Sequence, residues 1–143
     1  MKEKVILISL LFFVISCATR NKVSESKPLI EILTSQEDGG ASIRFFEILS
    51  EEREIKMLQN DALLKNKISA QDINTANFVI LNMGEKNTKG YTIDVKSVVE
   101  TEDKIVITVR DVAPKTAGVP EYEVYYYPYS ILKINSKKEI SIQ

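Results

Sequence analysis

Apolar and polar positions alternate along most of this chain with the period of a strand, give way once to a helical repeat, and fuse at the start into a nearly unbroken apolar run. Leu29 to Thr34 reads as a first strand, stopped by Gln36-Glu37-Asp38-Gly39-Gly40, where adjacent glycines permit a sharp reversal. Ser42 to Leu49 is the second. Ser50 then predicts a helix cap, with Glu51 and Glu52 in the first turn and Ile55, Leu58 and Ala62 at helical spacing. Lys65, Asn66 and Lys67 close that helix, so acidic residues at its start and basic ones at its end both complement the helix dipole. It is the only helix expected in the domain.

Phe78 to Met83 is nearly all apolar, as a central strand covered on both faces should be. In Tyr91 to Glu100, Tyr91, Ile93 and Val95 alternate with Thr92, Asp94 and Lys96; after a turn at Glu102-Asp103 comes Lys104 to Val112. The last two strands predicted are Tyr122 to Tyr127 and Tyr129 to Asn135. Between them stands Pro128, which has no amide hydrogen and belongs at a bend, bulge or edge. Connections this short imply antiparallel neighbours. The expected fold is mainly β (α+β), an antiparallel sheet or sandwich of about six to seven short strands with one helix covering an end.

The initial apolar run has a different purpose. Lys2 and Lys4 precede Val5 to Ile15, broken only by Ser9, and Ser16 stands directly before Cys17, the only cysteine. The run is too short for a spanning helix and has the order of a bacterial lipoprotein signal. Residues 1–16 are then the signal peptide, and Cys17 becomes the lipidated N-terminus. An ordinary secretory peptide or an uncleaved anchor would also carry such a run, but neither uses a lone thiol, which has no partner for a disulfide. Residues 17–27 are a polar tether with a coil reach of roughly 17 Å, and 28–143 form one domain. The protein is expected at the bacterial cell envelope, held to the membrane by acyl chains. Ala18, where aspartate would signal inner-membrane retention, points to the outer membrane.

Composition narrows the chemistry. With 19 basic and 20 acidic side chains the formal net charge is −1, too little cationic character to neutralise a run of phosphates, so no nucleic acid is expected as a partner. The chain has no histidine, and acylation would consume its one thiol. The usual general base, most zinc sites and the Cys/His pair go together. The acidic pairs Glu51/Glu52 and Glu102/Asp103 fall at a helix start and a turn, where charge is solvated instead of tuned. Glu37-Asp38-Gly39 lacks the alternating oxygens of a calcium loop. The expectation is a non-enzymatic protein with no catalytic residues, metal site or cofactor.

One stretch resembles a known family. Asn82-Met83-Gly84-Glu85-Lys86-Asn87-Thr88-Lys89-Gly90-Tyr91-Thr92-Ile93, supported by Pro114 and by Pro128-Tyr129-Ser130-Ile131-Leu132-Lys133-Ile134, is similar to the C-terminal domain of the PrcB family, over roughly residues 76 to 136. That family takes its name from a lipoprotein subunit of a bacterial cell-surface protease complex, and its usual pattern is a strand ending in Gly, a polar loop, then Thr-Gly-Gly-Tyr. Here Lys89 takes the place of the first glycine of that pair. The resemblance implies an envelope lipoprotein that binds or helps assemble a protein partner, with a surface protease complex as the candidate. The loop also looks like that of chagasin-type cysteine protease inhibitors, so an inhibitor and a purely structural lipoprotein stand as alternatives.

Two candidate contact surfaces follow. Gly84 and Gly90 bracket a hairpin loop, with Asn87 and Thr88 fixing its tip, and the loop either presents Lys86, Asn87, Thr88, Lys89, Gly90 and Tyr91 to a partner or merely turns the chain. In the cluster Tyr122, Tyr125, Tyr126, Tyr127 and Tyr129, strand alternation places Tyr125 and Tyr127 on one face, either packed or forming an aromatic contact patch.

Overall fold

The computed structural model describes residues 27–116, 118–120 and 122–143. The signal, Cys17 and the tether as far as residue 26 lie outside the described residues. In chain order the elements are β1 (Ile30–Gln36), β2 (Phe45–Leu49), α1 (Glu52–Gln59), α2 (Asp72–Thr75), β3 (Asn77–Asn82), β4 (Thr92–Glu100), β5 (Lys104–Val112), β6 (Tyr129–Ile134) and β7 (Glu139–Ile142). They make a four-stranded sheet of order β1-β6-β3-β2 and a three-stranded sheet of order β4-β5-β7. The expected mainly-β sandwich is what forms.

Why β3 and β6 are almost wholly buried follows from their place. One face of the large sheet sends Val79, Leu81, Leu132 and Ile134 against Ile93, Ile105, Ile107 and Ile140 of the small sheet. Its other face packs Leu33, Leu49, Phe78 and Ile131 under Ile55, Leu64, Ile68 and Ala76 of the helical layer. The large sheet is therefore the middle of three layers, and its central strands have no wet side. The second interface also encloses charge. Lys133 is buried on β6 with its ammonium 3.0 Å from Asp72 Oδ1 and 3.9 Å from Glu31 Oε1. Asp72 Oδ1 makes no directed hydrogen bond and meets the ammonium as an ion pair only, while Oδ2 accepts the Ser69 amide at 2.7 Å.

The structure corrects several expectations. The helix begins one residue later, with Glu51 rather than Ser50 at the N-cap, and Glu54 reaches back to the Glu51 and Ser50 amides at 3.0 and 3.1 Å. It ends at Gln59 instead of near Lys67, because Asp61 Oδ1 captures the Leu63 amide at 2.8 Å and turns the chain, while Leu64 still reaches the core. A second helix, the single turn α2, was not expected, nor was β7, which runs parallel to β5. Tyr122–Tyr127 is not a strand. Glu123 sits at φ +59°, and the segment keeps only an isolated antiparallel bridge between Tyr126 and Lys86.

Candidate functional site

The loop joining β3 to β4 is built by its two glycines. Gly84 has φ +82° and Gly90 φ +93°, values that side chains rarely adopt. A Cβ at Gly90 would lie 2.7 Å from Pro114 Cβ, so the glycine also lets the loop close on the chain leaving β5. Between them, the Lys86 amide donates to the Tyr126 carbonyl and the Tyr126 amide to the Lys86 carbonyl, both at 2.8 Å. The two irregular segments are thus zipped together, and Thr88 is only 8% exposed in the seam, where a Cβ at Gly118 would lie 3.5 Å from its own Cβ.

Each lysine of the loop lies over a ring of the chain. Lys86 Nζ lies 5.6 Å from the centre of the Tyr91 ring and Lys89 Nζ 5.6 Å from that of Tyr126, so both cations lie over aromatic faces within the chain. Tyr91 is half-buried. Of the loop residues proposed from sequence, Asn87 is left facing outward, into a cleft of about 450 Å³ shared with Pro120, Tyr122, Glu123 and Tyr125. Tyr122 is 90% exposed and Tyr125 50%. Together they form an aromatic ledge beside Asn87.

Tyr127 does not share that ledge. Its amide donates to Asp38 Oδ1 at 3.0 Å and its carbonyl accepts the Gly40 amide at 2.8 Å, tying the Gly39-Gly40 turn to the Tyr122–Tyr127 segment. Partial burial, then the neighbouring Glu85 and Asp38 carboxylates, push its phenol above the ordinary tyrosine value. Two residues that sequence reasoning did not single out support the site from below. Asn82, fully buried, accepts the Ala41 amide at 2.8 Å and donates to the Ala41 and Ile43 carbonyls at 2.8 and 2.5 Å; Asp38 holds Tyr127. Asn82 carried a signal, since a polar residue ending an apolar central strand must find buried partners. Asp38, inside an acidic turn, carried none.

Among the described residues, no three His, Cys, Asp or Glu side chains are grouped so as to hold a metal ion. No curated protein and no solved structure matches the chain. A family profile described as PrcB C-terminal matches residues 77–135. The match takes in β3 to β6, both zipped segments and the ledge, the same stretch that carries the resemblance in the sequence. The similarity of this chain to the PrcB C-terminal family thus rests on residues 77–135.

Proposed function

We propose that this protein is a non-catalytic lipoprotein of the bacterial envelope, anchored through Cys17, whose PrcB C-terminal segment binds a partner protein, with a surface protease complex as the assembly it serves. The observation that carries the reading is the ledge itself. Tyr122 and Tyr125 stay exposed while the backbone beneath them is fixed by the Lys86 to Tyr126 bridge and the buried Thr88. Exposed aromatic rings on an ordered support lose little entropy when covered, which is the property of interface anchors. The absence of histidine from the sequence supports a binding role over a catalytic one. Burial of Thr88 weighs against the inhibitor alternative, in which the Asn87 to Tyr91 loop would have to project freely into a cleft.

The test compares affinity capture from solubilised envelopes by the native protein and by a Tyr122→Ala/Tyr125→Ala variant. The native protein is expected to retain one specific neighbour at least about tenfold better, as the loss of two aromatic anchors implies. Equal yields would overturn the ledge as the contact. Cys17→Ser should abolish incorporation of labelled palmitate and release the protein from the membrane fraction; retention of either would overturn the anchor.

A further inference from the structure

The two sheets have four free edges, and three are protected. β1 carries a register shift between Ile32 and Thr34, β4 carries one between Val95 and Ser97 around exposed Lys96, and β7 has only four residues and follows Lys137 and Lys138. Bulges, lysines and shortness are the ordinary defences of an edge against pairing with another chain. The fourth edge, β2, is five residues long and has neither a bulge nor a lysine, with Glu47 as its one charge. It pairs with β3 in unbroken register from Phe45↔Asn82 to Leu49↔Phe78, and Phe45 and Ile48 are 37% and 39% exposed.

Beside this edge lies a cavity of about 350 Å³ between β2 and α1, floored by Leu49, Leu58 and Ile80 and walled by Met57. Glu47 faces it from the middle of β2. Arg53 lines the same cavity, yet among the described residues Glu47 makes no ion pair. We propose that β2 is a docking edge for an extended segment of a partner protein, one that alternates apolar residues around a lysine or arginine set opposite Glu47. Backbone pairing supplies the attachment and the cation supplies the choice of register. The inference stands apart from the aromatic ledge, because it uses a different surface and no residue of the matched loop.

A second copy of the chain is the poorer occupant. In an antiparallel pair of β2 strands about a two-fold axis, opposed residues point to one face, so Glu47 would meet Ile43, Phe45, Glu47 or Leu49 and never a cation.

The experiment uses the full chain purified in detergent and a capped peptide, Thr-Val-Lys-Val-Thr, with its Thr-Val-Glu-Val-Thr counterpart. The lysine peptide is expected to bind about threefold more tightly than the glutamate peptide and to slow hydrogen exchange at the amides of residues 45–49. Glu47→Lys, an exposed substitution that should leave the fold intact, is expected to reverse the preference. Absence of binding by either peptide, protection spread equally over β1 or β4, or an unchanged preference in Glu47→Lys would each overturn the proposal. So would self-association of the chain that protects β2 without peptide.

Discussion

The two faces of the large sheet are equally dry but differently made. Toward the small sheet, Val79, Leu81, Leu132 and Ile134 meet isoleucines, and any well-shaped apolar set would serve. Toward the helical layer, the same strand β6 offers Lys133, which is tolerable in the interior only because Asp72 and Glu31 come to it. The difference also divides the chain. The matched segment supplies β3 to β6, including both central strands of the large sheet, whereas β1, β2, β7 and the helical layer come from outside it. Asp72 and Glu31 belong to that outside part. The ion pair therefore ties the matched segment to its surroundings through charge, while the other face relies on burial and on one neutral hydrogen bond, from the Ser130 hydroxyl to the Ile93 carbonyl at 2.6 Å.

Removing the anion alone should break this comparison most strongly. Asp72→Ala leaves a buried ammonium without its nearest partner and should cost about 3–5 kcal/mol in denaturant unfolding, whereas Asp72→Leu with Lys133→Met should return close to native stability. Acid sharpens the same point. Burial pushes the Asp72 carboxyl up, but the Ser69 amide and Lys133 outweigh it and hold the group below the ordinary 3.8. Because the folded value is the lower one, its contribution is complete above the unfolded value and is lost as pH falls through the folded one. Stability of the native protein should drop on acidification in that range, and the drop should be shallower in Asp72→Asn.

On the apolar face, Leu132→Ala should cost about 3 kcal/mol by the same measurement, with no dependence on acid. Gly90→Ala should cost about 1–3 kcal/mol, since φ is +93° and Pro114 leaves no space; a neutral result would mean that the loop is not closed on Pro114. The smallest effect belongs to the ledge's support. Lys86→Ala, which loses one half-buried cation over Tyr91, should cost no more than about 1 kcal/mol.

Much of the apolar face was legible in the sequence. Phe78 to Met83 read as a central strand, the Glu102-Asp103 turn joined β4 to β5, and Gly84 and Gly90 were expected to bracket a loop, where both adopt positive φ. What escaped depended on distant contacts. Tyr122 to Tyr127 has the alternation of a strand, but its neighbour is an irregular loop that offers one bridge and no ladder. β7 is too short to show a period, and it pairs in parallel with β5 because β6, which lies between them in sequence, belongs to the other sheet. Lys133 alternates like a solvent-facing residue of an edge strand, and only the docking of α2 makes it internal. Lys89 looked available, since nothing local reveals that Tyr126 would be folded over the same turn.

The claim that the ledge is the contact surface is tested most directly by photocrosslinking in intact cells, with a benzophenone amino acid replacing Tyr125 in one strain and Val99, exposed at the far end of β4, in another. The account predicts a single adduct of fixed mass at position 125 that is absent at position 99. The same adducts at both positions, or none at 125 while the protein is present at native levels, would contradict it.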